Sequence, residues 1–357
     1  MESPTVTEEF TPPAPLRMFG AVMDVYKQVF VGPTAPLFSR PNPLQRNGFE
    51  LDVRIEAVQV EAQDVVSLTL RSADDAQLPA WTPGAHLDVF LPSGKQRQYS
   101  LCGNPNDRSR YRIAVRRLPD GGGGSLEVHG ALSVGDVIRV RGPRNAFTFV
   151  EAPSYFFVAG GIGITPILPM VKAADAVGVP WKMVYLGRSR TTMPFLDELQ
   201  ALTGGELDIR PDDEFGAPDI SVLIGRAEAG SAMYVCGPPP VLDAAQRTAF
   251  TANPSGSLHA ERFSARPVID GREFDITLAR TGATVRVGAE ETALAAIRRE
   301  LPGAAYSCQQ GFCGTCKVKV LAGQVDHRDR TLPDTERDAH MLTCVSRAAG
   351  DSLVLDL

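Results

Sequence analysis

The chain has 357 residues, a length that suits two or three domains. Hydrophobic residues make up 43% and charged residues 22%, an ordinary globular balance. The net charge of −6 offers neither a nucleic-acid surface nor a polybasic membrane anchor, and no apolar run reaches the roughly 18 residues a bilayer span requires. Met1-Glu2-Ser3-Pro4 opens without a basic n-region or an apolar h-region, so the expected location is the cytoplasm.

Residues 1–48 read as an N-terminal extension and linker. Pro12, Pro13 and Pro15 lie among polar residues, which favours an extended segment. Met18, Val22, Val25 and Val29, with Phe19, Met23, Tyr26 and Phe30 beside them, fall at helical spacing over 16–30. A short helix packed on the next domain and a docking helix for a partner both fit. Gly32-Pro33, Pro36, Pro41 and Pro43 then break the pattern.

Residues 49–150 read as short strands, with brief helix only near Gly124–Val128. Val53, Ile55, Val58 and Val60 fall among polar residues, and Val65, Leu68 and Leu70 follow. Frequent Gly and Pro between such runs suggest a small antiparallel barrel. Within it, Arg97, Tyr99 and Ser100 form R-x-Y-S. On a strand, Arg97 and Tyr99 share a face. A guanidinium there can neutralise a phosphate, and a phenol ring can pack on a flat heterocycle. A surface Arg beside a core Tyr gives the same four letters. Gly121-Gly122-Gly123-Gly124-Ser125 can bend amides around an anion, with Ser125 opening a helix as its N-cap, or can be a plain hairpin loop.

Together with Pro83-Gly84-Ala85-His86 and Gly142-Pro143-Arg144-Asn145-Ala146-Phe147, this set resembles the flavin barrel of the ferredoxin-NADP reductase superfamily. Among its branches it is most similar to the phthalate dioxygenase reductase type, which holds FMN rather than FAD. The resemblance implies that Arg97, Tyr99, Ser100, Gly122, Gly123, Gly124 and Ser125 contact FMN, and that His86 is structural.

Residues 151–265 read as an α/β nucleotide domain with a parallel sheet. Tyr155–Ala159 is a short apolar run suited to a buried parallel strand. Gly160-Gly161-Ile162-Gly163-Ile164-Thr165-Pro166 and a helical run, 167–177, follow. Strand, glycine turn and helix deliver N-terminal amides to a pyrophosphate. Gly161, Gly163, Thr165 and Pro166 are the expected contacts, although Pro166 stands where the third glycine of G-x-G-x-x-G belongs. The next strand, 181–186, ends in Arg188-Ser189-Arg190. Arginines there can take a 2′-phosphate or can lie on the surface, so NADH and NADPH both remain open. Met233-Tyr234-Val235-Cys236-Gly237-Pro238 is another strand entering a tight turn, and it matches the superfamily's C-G-P motif. That match implies that Gly237 and Pro238 approach the nicotinamide and that Cys236 lies near its reactive carbon. Cys236 also fits a small core residue, and hydride transfer needs no acid or base from it. By the same resemblance Phe263 covers the flavin ring, with a plain core phenylalanine as the alternative.

Residues 266–272 read as a linker and 273–357 as a third domain. Phe274, Ile276 and Leu278 alternate, then Val285 and Val287 after the Thr281-Gly282 turn, as in a hairpin. Leu294, Ile297 and Leu301 fall at helical spacing. Cys308, Cys313 and Cys316 have the spacing C-x4-C-x2-C, and Cys344 follows after 27 intervening residues, from an expected distant strand. This is the plant-type [2Fe–2S] ligand spacing. Zinc sites instead show two short pairs, and a disulfide framework has no signal peptide to support it. Gly311 and Gly314 allow the loop to wrap a cluster. The string Tyr306-Ser307-Cys308 to Cys316 resembles the cluster loop of plant-type ferredoxins, which implies a β-grasp fold. With 12 acids against 10 Lys/Arg, this domain is not strongly acidic.

A nicotinamide gives two electrons as a hydride, and a [2Fe–2S] cluster takes one at a time, at about −400 mV for the plant type. A flavin connects the two. The order flavin, nucleotide, cluster resembles the reductases of phthalate dioxygenase and vanillate demethylase over 49–357. It implies an NAD(P)H-dependent reductase that serves a terminal Rieske non-haem iron oxygenase. A cytochrome P450 partner, an FAD-containing hydroxylase reductase and a non-enzymatic redox sensor are the alternatives. The architecture is expected to work as a monomer.

Overall fold

The computed structural model describes residues 49–357 apart from 121, 265, 266, 307, 308, 312 and 330. The helix expected over 16–30 lies outside the described residues, as does Cys308.

The first sheet contains β1 (Phe49–Ala62), β2 (Val65–Ser72), β3 (Ala85–Phe90), β4 (Gln96–Ser100), β5 (Tyr111–Arg116) and β6 (Val137–Asn145). All pair antiparallel in the order β4-β3-β6-β1-β2-β5. A bridge between Leu101 and Ile113 draws the two edges together and curls the sheet into a barrel. Alternation sets the inside: on β6, Ile138 and Val140 are buried while Val137 and Arg139 are exposed. Val53, Ile55, Leu68, Leu70, Leu87 and Val140 fill the interior. The helix beside the glycine loop, α1 (Gly124–Ala131), runs three residues past the Val128 expected from sequence.

A parallel sheet follows, from β7 (Tyr155–Gly160), β8 (Trp181–Gly187), β9 (Glu206–Pro211), β10 (Ala232–Cys236) and β11 (Ser257–Glu261), in the order β11-β10-β7-β8-β9. Helices α2 (Ile164–Ala176), α3 (Leu196–Gln200), α4 (Asp212–Phe215), α5 (Ile220–Ile224) and α6 (Pro239–Ala252) connect them. All six residues of central β7 are buried, which is why its sequence is continuously apolar rather than alternating. Helix α2 begins at Ile164, ahead of the expected Ile167. Pro166 sits in its first turn, where the missing N–H has no intrahelical partner to lose.

The third sheet is mixed, in the order β13-β12-β18-β14-β16, from β12 (Phe274–Leu278), β13 (Thr284–Val287), β14 (Lys317–Ala322), β16 (His340–Leu342) and β18 (Ser352–Leu355). The short β15 (Val325–Asp326) and β17 (Arg347–Ala348) pair separately. Helix α7 (Ala293–Glu300) is capped by the Thr292 hydroxyl, which accepts from the Ala295 amide at 3.1 Å. A last helix, α8 (Asp334–Arg337), precedes β16. Helix on mixed sheet is the β-grasp arrangement.

The three layers are joined in two different ways. Val65, Ala114 and Phe147 of the barrel share one hydrophobic core with Tyr155 and Phe157 of the parallel sheet and Ile167 of α2. Across the same junction Arg112 donates to both carboxylate oxygens of Glu198, at 2.7 and 3.0 Å. The cores around Phe274 and around Leu294 draw only on residues beyond 273.

Candidate functional site

Strand β4 forms one wall of a cavity of about 450 Å³, a size that suits a small-molecule ligand. Arg97, Tyr99 and Ser100 line it, as do Ser125, Ile162, Thr165 and Phe263. Arg298, Tyr306 and Gln309 line it from the third sheet's side. The cavity therefore lies where the barrel, the first glycine turn of the parallel sheet and the cysteine loop meet. Burial, partly offset by Arg97, pushes the Tyr99 phenol up to about 12, so the hydroxyl stays protonated and can donate.

The glycine loop is shaped to Arg97. Gly122 and Gly123 have φ of +67° and +81°, which side chains other than glycine's rarely adopt. The Gly122 carbonyl accepts from Arg97 Nη2 at 2.9 Å. A Cβ on Gly124 would lie 2.4 Å from Arg97 Nε, so the guanidinium occupies the space that a side chain would fill. Ser125 does not cap the helix as the sequence suggests. Gly123 is the N-cap, and Ser125 bonds the Leu118 backbone instead, accepting at 2.9 Å and donating at 3.2 Å. The capping position needs an extended residue, whereas the chain arrives here left-handed. An anion-sized cradle of backbone and guanidinium fits a flavin phosphate.

At the second glycine turn, a Cβ on Gly163 would meet the Cys236 carbonyl oxygen at 2.3 Å, and one on Gly160 would meet Pro238 Cδ at 2.6 Å. The turns after β7 and β10 are thus pressed together, and glycine is required by that approach. Gly161 has φ of +53°, and its carbonyl accepts from the Tyr185 hydroxyl at 3.3 Å. Thr165 is buried and donates to the Ile162 carbonyl at 3.0 Å. Cys236 is buried, and desolvation raises its thiol well above the ordinary value. Phe263 is half exposed on the cavity wall, not a core residue. Gly237, Pro238, Arg188 and Arg190 stand outside the cavity lining.

The two arginines after β8 differ. Arg190 donates from Nε and Nη2 to the two oxygens of Glu214, at 2.7 and 3.0 Å, and that partner holds its pKa up. The Arg188 backbone carbonyl accepts from the Asp213 amide at 3.1 Å. Ser189 and Thr192 form a reciprocal cap of the short turn Arg190–Thr192.

In the cysteine loop, Gly311 and Gly314 have φ of +82° and +71°. Cys316 and Cys344 are buried together beside Leu294, Tyr306, Leu332 and Leu342. The Cys316 carbonyl accepts from the Thr343 amide at 3.3 Å and the Thr343 hydroxyl at 3.2 Å, which brings the fourth cysteine to the loop. Cys344 lies in a turn two residues after β16, not on a strand as expected: a turn can aim the thiol back while β16 keeps its ladder to β14. Cys313 is partly buried, and its thiol donates to Thr315 Oγ1 at 3.4 Å. Sulfur ligands held in a left-handed loop with an apolar shell fit a [2Fe–2S] cluster.

Sequence reasoning missed Gln96 and Arg298 as cavity residues. Arg298 sits in the charged last turn of α7 and reads as a solvated face, yet its guanidinium lies 4.1 Å from the Tyr306 ring centroid. No local pattern marks either residue.

Comparison with known proteins gives a consistent result. A family model described as oxidoreductase FAD-binding domain matches residues 52–149, and one described as 2Fe-2S iron-sulfur cluster binding domain matches 276–349. The chain is 40% identical to the phenoxybenzoate dioxygenase subunit beta of Ectopseudomonas oleovorans, over 86% of this chain and 97% of that protein. It is 36% identical to the phthalate dioxygenase reductase of Burkholderia cepacia, over 88% and 99%. The solved structure of a phthalate dioxygenase reductase superposes with a TM-score of 0.66 at 34% identity, over 86% of this chain and 98% of that one. A full-length cytochrome P450 from Tepidiphilus thermophilus superposes with a TM-score of 0.63 at 40% identity, and there the chain spans only 42% of the longer protein.

Proposed function

The chain belongs to the phthalate dioxygenase reductase family, and from that premise we propose that it is the reductase component of a multicomponent oxygenase, drawing electrons from NAD(P)H and delivering them to a terminal Rieske-type oxygenase. The observation that carries this reading is the single cavity at which Tyr99 and Ser100, Thr165 and Phe263, and Tyr306 and Gln309 converge. The proposed domain division, 49–150, 151–265 and 273–357, follows the three sheets.

A bound flavin accepts a hydride and releases electrons singly, and a [2Fe–2S] cluster carries them onward. The protein's part is placement. Arg97 and the Gly122–Gly124 backbone would hold the phosphate of FMN, Tyr99 would face the ring, and Ser100 and Ser125 would bond polar atoms of the chain between. Phe263, half exposed on the cavity wall, would cover the flavin ring. Gly161, Gly163, Thr165 and Pro166 present the start of α2 to the pyrophosphate, and Gly237 and Pro238 keep the nicotinamide pocket narrow. Arg188, Ser189 and Arg190 would face the adenosine ribose. Cys236 stays a neutral thiol that shapes the pocket. Cys313, Cys316 and Cys344, with Cys308, hold the cluster.

Among the described residues no helix is long and apolar enough to cross a membrane. Cys102 and Cys236 are unpaired buried thiols, which supports a reducing compartment and hence the cytoplasm. The near-complete coverage of separate reductase subunits favours a separate oxygenase partner. The P450 match favours a second reading, in which the acceptor is a haem enzyme.

An anaerobic absorption titration with NADH tests the proposal. Flavin and cluster bands should bleach together with about three electrons per chain, two to flavin and one to cluster. A flavin that bleaches beside a permanently oxidised cluster would sink the assigned path. The mass of the flavin released on denaturation decides between FMN and FAD.

A further inference from the structure

Asp88, on β3, is fully buried, and its carboxylate takes a hydrogen bond from Gln98 Nε2 at 2.9 Å. It also pairs with the Arg144 guanidinium, on β6. A carboxylate enclosed in a barrel wall is costly unless paired and hydrogen-bonded, so the pair is a fixed object rather than a surface contact. Arg144 has a second arm. Its Nη1 donates to Thr315 Oγ1 at 3.0 Å, across the junction and 171 residues along the chain. Thr315 lies between Cys313 and Cys316, and its hydroxyl oxygen is 3.4 Å from Cys313 Sγ.

We propose that Arg144 is a positioning residue for the [2Fe–2S] cluster: anchored by Asp88 in the flavin barrel, it orients the Thr315 hydroxyl toward the Cys313 sulfur and so sets the cluster's reduction potential from the neighbouring domain. The inference rests on the reading of Cys313 and Cys316 as cluster ligands. With the cluster bound, Cys313 is a thiolate and accepts. Because Thr315 Oγ1 already accepts from Arg144, its own hydrogen is free to point at that thiolate. Hydrogen bonds to the sulfurs, and positive charge nearby, favour the reduced cluster, which carries one more negative charge. The effect exists only while the third domain sits on the barrel, so the cluster is easier to reduce when docked than when separated. Docking thereby favours the electron's step onto the cluster, and separation makes the reduced cluster a stronger donor.

The experiment is a spectroelectrochemical titration of the holoprotein, with the electron paramagnetic resonance signal of the reduced cluster recorded in parallel. Thr315→Val should shift the cluster potential to more negative values, and Thr315→Ser should restore it. Arg144→Lys keeps a cation opposite Asp88 but loses the planar two-armed reach, so it should shift the potential the same way. The double variant should shift no further than the larger single one, since both remove one relay. Asp88→Asn, which removes a negative charge from beside the guanidinium, should shift it to more positive values, an opposite sign that mere loosening would not give. If either barrel variant fails to fold, the other carries the test. Additive shifts in the double variant, or barrel variants with unchanged potential and resonance, would overturn the proposal. A wild-type protein without cluster absorption would instead remove the functional reading beneath it.

Discussion

Gln96 and Tyr306 hydrogen-bond each other twice across 210 residues of chain. Gln96 Nε2 donates to the Tyr306 carbonyl at 2.8 Å, and the Tyr306 hydroxyl donates to the Gln96 carbonyl at 2.9 Å. The pair ties the strand that carries Arg97 and Tyr99 to the start of the cysteine loop.

Tyr306→Phe removes one of the two bonds across the joint, a loss of about 1 kcal/mol, while the Gln96 carbonyl keeps its bond from Arg97 Nη1 at 2.9 Å. The expected outcome is a severalfold slower reduction of cytochrome c, which draws on the cluster. Reduction of ferricyanide by the flavin should remain near wild type. Equal losses in both assays would mean that the Tyr306 hydroxyl serves the flavin rather than the joint.

Gly124→Ala should lower flavin content as Arg97→Ala does. The new methyl would displace Arg97, since its Cβ falls 2.4 Å from Nε, while alanine costs nothing in a helix. The ratio of flavin to protein after gel filtration measures it. Stoichiometric flavin in both variants would remove Arg97 from the phosphate site.

Arg188→Ala should reduce kcat/KM for NADPH more than for NADH. Arg190→Ala should discriminate less, because Glu214 already occupies that guanidinium. Steady-state kinetics with both nucleotides separates the two, and identical effects of Arg188→Ala on NADH and NADPH would make it a surface residue.

Glu261 ends β11 opposite Cys236, and its Oε2 is sealed without a hydrogen-bond partner among the described residues. Desolvation raises its pKa from 4.5 to about 8. The folded state therefore holds a proton that the unfolded chain releases earlier. Its contribution to stability is intact below the unfolded value of 4.5, declines as pH rises above it, and is lost once pH passes about 8. Glu261→Gln should flatten the pH dependence of Tm across that interval. An unchanged slope would mean that the carboxyl is solvated.

The parts of the site that depend on neighbours in sequence were readable from sequence. The Cys308–Cys316 spacing, the glycine turn after the apolar run 155–159, and R-x-Y-S are each confined to one short stretch of sequence. The Arg144–Thr315 and Gln96–Tyr306 contacts have no local signature, because each joins elements from different sheets. Ser125 shows a subtler failure. A serine after glycines is a good cap by propensity, but with the left-handed approach of Gly122 and Gly123 the cap falls on Gly123, two residues ahead of the serine. The Arg190–Glu214 pair was likewise invisible, because the helix after β9 supplies the carboxylate 24 residues along the chain.

The barrel and the parallel sheet share an oily core, whereas the cysteine-bearing layer meets them through Gln96–Tyr306, Arg144–Thr315 and a bond from Gln310 to the Arg262 carbonyl. Water can stand in for each partner in such a seam, while parting the first two layers would strip apolar surface bare. The connecting stretch travels with the third layer: Arg328 Nη1 holds the Ile269 carbonyl at 2.6 Å, and Arg347 Nη2 holds that of Arg272 at 2.7 Å. Among the described residues, the stretch just ahead of residue 269 is thus an inexpensive place for gene recombination to cut. A segment excised there carries its own core and its own tether, ready to be joined to a different electron source.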